Sequence, residues 1–254
     1  MSKIIPRISG TYIDSIFERG DTGNTGQNAS LTLKVKVKLV RVEPPGSAAT
    51  GTVNHGLEHN ISIDRWSDAD WNTFVQKFRR ACVDTWSNKL WLIPQHNRLS
   101  RGVGAGRNMT VSPNISCLLD VAMVSSNSHL TCRVINPTGT FSRSSMSRQR
   151  QLGHLEIQDV DPKSSGQVPV AHELGHYLGY SHVGGPGNEG NRYCTSATNP
   201  VVICNAHSRG DIMGGGTRVE EWHARAWQIR VARHLGDVTR STQVWNVPQS
   251  ARDQ

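Results

Sequence analysis

No stretch of about 18 consecutive apolar residues occurs in the chain, so no segment of it reads as a membrane-spanning helix. Cysteine is scarce and odd in number. Of Cys82, Cys117, Cys132, Cys194 and Cys204, one must stay unpaired if the others form disulfides, and the absence of any C-x-x-C pair excludes a cysteine-rich zinc knuckle. The first twenty residues lack the continuous apolar core of a secretory leader and carry Asp14, Glu18 and Arg19 instead. No cleavable leader is therefore expected. Gly102, Gly104 and Gly106 are followed by no helical pattern, which excludes a dinucleotide-binding loop. No internal repeat is present, and no run of basic residues interleaves with aromatics, so specific nucleic-acid recognition is not expected either.

What is present suits a loop-rich globular protein. The 254 residues are enough to bury a core without help from disulfides or metal, and 36% are hydrophobic. A net charge of +8 favours neutral or acidic partners over basic ones.

Residues 1–30 end in a turn-rich stretch containing Gly20, Gly23 and Gly26 and read as a lead-in segment. From Leu31 to Val42, alternation of Leu31, Leu33, Val35, Val37 and Leu39 with Lys34, Lys36 and Lys38 predicts a half-buried strand. A loop around Pro44–Gly46 follows, then a strand near Asn60–Asp64. Ser67 is placed to cap a helix whose first turn holds Asp68 and Asp70 and whose core face is Trp71, Phe74, Val75, Phe78, Cys82 and Trp86. Further strands are predicted at Ile115–Val124, Leu130–Ile135 and His154–Ile157. If the first two form a hairpin, Cys117 and Cys132 fall near register for a disulfide. Gly102–Gly106 and residues 142–150, with Arg143, Arg148 and Arg150, read as loops, and Glu220–Leu235 as a helix with Trp222, Ala226, Ile229 and Leu235 among basic residues.

The chemistry is concentrated after Val170, in H-E-x-x-H-x-x-G-x-x-H at His172, Glu173, His176, Gly179 and His182. One helical turn separates His172 from His176, so both imidazoles can face one ion. Pro169 suits the first turn of that helix, and Gly179 can take the left-handed conformation that ends it and returns His182 to the same ion. Three nitrogen ligands leave a fourth position for water, the open arrangement of a catalytic Zn²⁺. Glu173 is placed to take that water's proton. By composition alone the full pattern would arise in about 1 of 17,000 such chains.

Downstream, Asp211-Ile212-Met213-Gly214-Gly215-Gly216 sets a methionine in a glycine turn. Together the two segments resemble the metzincin clan of zinc metallopeptidases and its Met-turn. The resemblance is good over about residues 168–235 and looser from residue 55. It implies an α+β, metzincin-like zincin fold, with a twisted mixed sheet, a backing helix, an active-site helix and an irregular C-terminal subdomain ending in a helix. On that reading 1–55 is an N-terminal segment that is a pro-segment, a delivery adaptor or part of the sheet, and 56–254 the catalytic domain, its upper subdomain reaching about residue 182 and its lower one covering 183–254. It further implies one catalytic zinc on His172, His176 and His182, with Glu173 as base and Met213 as the structural turn residue. The substrate is then a protein or peptide lying extended along an edge strand.

Gly215 departs from members that carry a tyrosine two residues after the methionine; Tyr193 is the candidate transition-state donor in its place. Cys194 and Cys204 are a second candidate disulfide. Two disulfides without a leader are reconciled by a toxin-like effector, exported without a cleavable signal into an extracytoplasmic or periplasmic compartment and matched by an inhibitor or immunity protein, or by a chain cut from a larger protein. The alternative class is a basic binding module with a structural or vestigial zinc site.

Overall fold

The computed structural model describes residues 3–19, 29–94, 99–103, 107–111, 114–139, 143–183, 210–234 and 245–246. It is of α+β class, with a mixed sheet and few helices. The chain divides into two compact units, each assembled from separated segments. No helix among the described residues is long and apolar enough to cross a membrane.

The unit formed by Val35–Thr85 and Val121–Arg218 holds the histidine motif. Strand β3 (Ala29–Arg41) enters it with the predicted alternation: Val35 and Val37 are fully buried while Lys36 and Lys38 stay partly exposed. Strand β10 (Leu130–Ile135) runs parallel to β3, β12 (Leu152–Glu156) parallel to β10, and β11 (Ser145–Ser147) antiparallel to β12 at the end of the order. Residues 142–150 are thus not simply a loop. A strand of three residues is too short for its alternation to stand out from the surrounding serines and arginines.

Helix α1 (Asp68–Trp86) begins as predicted, with the Asp70 N–H donating to Ser67 Oγ at 3.0 Å. Its Phe74, Phe78, Cys82 and Trp86 are buried, as the helical spacing required. The predicted strand at 60–64 is the second arm of a hairpin, β4 (Thr50–His55) and β5 (Glu58–Asp64). Beneath it Val42, Ile63 and Ile135 form a buried cluster. At its tip the His55 ring lies 4.9 Å from that of His154, and His55 Nε2 donates to the Leu155 carbonyl at 3.1 Å.

The other unit comprises Met1–Lys34, Trp86–Asp120 and Val219–Gln254. Here the lead-in expectation is corrected: residues 3–19 form a hairpin of β1 (Lys3–Ile8) and β2 (Asp14–Arg19), and β2 pairs antiparallel with the start of β3. Buried Ile13 and Phe17 supply the apolar side that the sparse alternation concealed. Likewise Gly102, read as part of a connection, lies on β7 (Leu99–Val103), which pairs antiparallel with β8 (Arg107–Val111); residues 104–106 lie outside the described residues. Strand β6 (Leu90–Pro94) pairs with β9 (Ile115–Met123) on one side and with β13 (Trp245–Asn246) on the other.

Near the C-terminus, a 3-10 turn (Glu221–Ala224) leads into the last described helix, α3 (Arg225–His234). Its buried face is Trp227, Arg230 and Val231, with Trp227 Nε1 donating to the Leu118 carbonyl at 2.9 Å. Trp222 and Ile229 are 41% and 49% exposed. The helical reading of 220–235 is thus met by a 3-10 turn followed by a helix ending at His234 among the described residues.

Strand order also removes the Cys117–Cys132 pair. Cys117 on β9 sits opposite Leu90, whereas Cys132 on β10 lies between Leu39 and Gly153, and β3 separates β9 from β10. Both cysteines, and Cys82, are buried free thiols, and burial pushes all three up in pKa. The compartment expectation then rests on Cys194 and Cys204, which lie outside the described residues.

Buried histidines set an acid limit on stability in each unit. His223 is held down to about 3 by burial, against which the Glu220 backbone hydrogen bond works, and His55 to about 4 by burial and then by His154. Both are neutral in the fold, while in the unfolded chain they take up protons below about pH 6.5. Above that pH neither state is protonated and nothing is lost. As pH falls from 6.5 toward 4, unfolding is favoured by on the order of 1 kcal/mol per pH unit for each group. Denaturant midpoints should therefore fall steadily between pH 6.5 and 4; midpoints that stay level across this range would refute the assignment.

Candidate metal centre

Helix α2 (Pro169–Leu178) presents the motif. Pro169 occupies its first turn, where no N–H is needed, and Val170, Ala171, Leu174, Tyr177 and Leu178 form the face buried in the core. The Tyr177 hydroxyl donates to the His129 carbonyl at 2.8 Å, fixing the helix against the start of β10. The opposite side carries His172 and His176. At the C-terminus Gly179 takes φ +107°, and the Gly179 and Tyr180 N–H groups close on the carbonyls of His176 and Gly175, each at 3.0 Å. This left-handed ending, which an L side chain would strain, sends the chain back toward the helix.

That reversal brings His182 to the other two. Its Nε2 lies 3.1 Å from His172 Nε2 and 3.0 Å from His176 Nε2, and one nitrogen from each ring falls within 4.8 Å of the others. The outer nitrogens decide what these atoms are. His172 Nδ1 donates to the Ile212 carbonyl at 2.7 Å and His176 Nδ1 to the Tyr180 carbonyl at 2.8 Å. A carbonyl only accepts, so Nδ1 carries the hydrogen in both neutral rings and each Nε2 turns a lone pair inward.

Burial first, and the neighbouring histidines for His172 and His182, hold the three rings below the ordinary histidine value. His172 and His182 are brought to about 4. At neutral pH the cluster holds at most one hydrogen, on His182, for two facing acceptors. Hydrogen bonding among the rings cannot satisfy it, but a cation can. Nitrogen separations near 3 Å are close to the roughly 3.3 Å spanned by two tetrahedral zinc ligands at about 2.0–2.1 Å from the ion. The outer hydrogen bonds also match the carbonyl partners that orient metal-binding imidazoles. The three histidines could hold a metal ion.

The cluster opens into a cleft of about 450 Å³. Glu173 lines it beside His172, with its carboxylate accepting a hydrogen bond from the Met146 backbone on β11. Burial, and then the Asp159 carboxylate, push Glu173 up to about 8, against the pull of the Met146 bond, Lys163 and Arg143. A dication at the histidines would lower it again. Glu156, on the same wall, is raised to about 7 by burial and Asp159. Asp159 accepts hydrogen bonds from the Ser144 hydroxyl and the Glu156 N–H, so its charge is already engaged.

Met213 is fully buried in its turn. Asp211 shapes that turn, since its Oδ1 accepts the Met213 N–H at 2.7 Å and its carbonyl accepts from Gly214 and Gly216 at 2.9 and 3.0 Å. The Met213 carbonyl takes the Val183 N–H at 3.1 Å, tying the turn to the residue after His182. Tyr193, Cys194, Cys204 and His207 lie outside the described residues. His154, His223 and His234 are not part of the centre: His223 Nδ1 accepts the Glu220 N–H at 2.8 Å, and His234 Nε2 bonds Ser15 Oγ at 2.8 Å.

No known protein family, curated protein or solved structure matches this chain. Its own geometry is what speaks for function. Two contributors were missed in the sequence. Asp211 was legible in principle, because Asp at the head of a glycine turn commonly caps it. Gln167 had no local signal, since its amide nitrogen bonds the carbonyls of Ile212, Gly214 and Gly216, far along the chain.

Proposed function

We propose that this chain is a zinc-dependent endopeptidase of metzincin type, with His172, His176 and His182 as ligands and Glu173 as general base. The observation that carries the proposal is the convergence of three Nε2 atoms, two of them fixed as lone-pair donors by outer hydrogen bonds to backbone carbonyls. When bound there, zinc supplies Lewis-acid polarisation of a scissile carbonyl and lowers the pKa of water near it.

The protein's own groups account for the rest. Glu173 takes a proton from water on a carboxylate oxygen and passes it to the leaving amine nitrogen. Glu173 lines the cleft beside Met146, whose backbone favours the ionised carboxylate. Among the described residues β11 ends the strand order with one ladder side given to β12, so an extended peptide can add to its other side by backbone pairing. Such pairing would set a scissile carbonyl across the mouth of the cleft, beside the ligands.

Elemental analysis of purified protein combined with a peptide-library digest tests the reading. One zinc per chain with cleavage is expected. One zinc with no cleavage, together with salt-dependent retention on nucleic acid, would favour the basic binding module; absence of metal after incubation with zinc would overturn both.

A further inference from the structure

The geometry points to Gln167 as a positioning residue that sets zinc affinity by clasping the methionine turn against His172; the inference rests on the zinc reading. Gln167 is buried just ahead of α2. Its Nε2 lies 2.9 Å from the Ile212 carbonyl, 2.9 Å from that of Gly214 and 3.1 Å from that of Gly216. Only the amide nitrogen can face three acceptors, and its two hydrogens are shared among them. The Ile212 oxygen is the same atom that accepts the His172 Nδ1 hydrogen at 2.7 Å, and Gln167 Nε2 itself lies 3.4 Å from that Nδ1.

One buried amide therefore holds the carbonyl that orients a metal ligand. It also draws together the oxygens of a glycine-rich turn that would otherwise repel one another at close range. Outer groups of this kind commonly alter metal affinity by about 10- to 100-fold.

The test is Zn²⁺ affinity by chelator competition for wild type, Gln167→Met and Gln167→Glu, with the visible spectrum of the Co²⁺-loaded forms as a second readout. Val35→Ala, a core truncation in β3, is the stability control. Weakening by about 10- to 100-fold with a changed Co²⁺ spectrum in both Gln167 variants, and neither effect in Val35→Ala, is the expected result. Wild-type affinity in the Gln167 variants, or equal weakening in the control, overturns the clasp. If either Gln167 variant fails to fold, the other carries the comparison. Wild-type protein that takes up no zinc overturns the zinc reading itself.

A separate observation bears on the substrate. We infer that Arg143 selects peptides with a carboxylate side chain next to the scissile bond, again given the endopeptidase reading. Arg143 is exposed, precedes edge strand β11 and lines the cleft beside His176 and His182. Among the described residues it forms no ion pair. Lys163, the other cation of the cleft, acts on Glu156 and Asp159 as well as on Glu173, whereas Arg143 acts on Glu173 alone of these three carboxylates. A guanidinium left open at the mouth is suited to a carboxylate in fork geometry, and the +8 chain charge draws acidic peptides toward it.

A position-scanned peptide library digested by wild type, Arg143→Lys and Arg143→Glu tests this. Enrichment of Asp or Glu by about tenfold at one position flanking the cut is expected, reduced in Arg143→Lys and reversed toward Lys and Arg in Arg143→Glu, with zinc content unchanged. Wild-type cleavage without acidic preference, or an unaltered profile in Arg143→Glu, overturns the inference. No cleavage at all by zinc-loaded wild type overturns the endopeptidase reading.

Discussion

Glu173→Gln is expected to lower peptide hydrolysis by on the order of 10²- to 10⁴-fold, the usual worth of a positioned general base, while zinc remains at one ion per chain. The amide keeps the shape of the side chain, and its oxygen can still accept the Met146 N–H that holds Glu173 in place. What it cannot do is take a proton from water near neutral pH. The ligand rings are held by Ile212 and Tyr180, not by Glu173, so the metal should be undisturbed.

A stability readout accompanies the kinetic one. Burial raises the Glu173 carboxyl to about 8 in the metal-free fold, above the ordinary value near 4.5. Such a group contributes fully below the unfolded value and loses that contribution as pH rises through the folded one. At pH 7 an ionising carboxyl therefore works against the metal-free fold, and the neutral amide removes the conflict. The metal-free variant should be at least as stable as wild type, as is common where function strains a site. Activity at the wild-type rate would remove Glu173 from the role of base; loss of zinc with the activity would instead make it part of the ligand set.

His182→Ala is expected to weaken zinc by on the order of 10²- to 10³-fold, if the roughly 10–16 kcal/mol of a four-ligand zinc site is divided among its ligands. His182 is the informative choice because it lies beyond the helix and is only partly buried, whereas His172 is buried on α2. In the metal-free protein its Nε2 is the atom crowded by the other two, at 3.1 and 3.0 Å. Removing it should leave metal-free stability unchanged or raised. A chelator should thus lower the wild-type melting temperature, through loss of a ligand bound only by the fold, and leave His182→Ala unmoved. If the chelator shifts both alike, the metal is held elsewhere.

The parts of the fold that were legible share a property: their signal is local and periodic. The alternation from Leu31 through Val37 identifies a half-buried strand because side chains reverse face at every residue. Phe74, Phe78, Cys82 and Trp86 identify a helix face because its period is near four. The hairpins β1–β2 and β7–β8 were missed because short or glycine-containing strands carry too few alternating positions to stand out. The Cys117–Cys132 pairing failed for a different reason. Adjacent strands in the chain need not be adjacent in a sheet, and here β3 lies between them.

The same division runs through the candidate site. The sequence by itself determined the two histidines one turn apart, the glutamate beside the first, the glycine able to end the helix left-handed, and the methionine in a glycine turn, because each follows from backbone geometry over a few residues. The return of His182 to the other two rings was expected from the motif, but only the tertiary structure decided that Ile212 and Tyr180 orient them. It alone brought Gln167 to the turn at 212–216 and opened Arg143 to the cleft. Those contacts join segments whose spacing carries no period, and hydrogen bonds across such distances depend on how the elements pack.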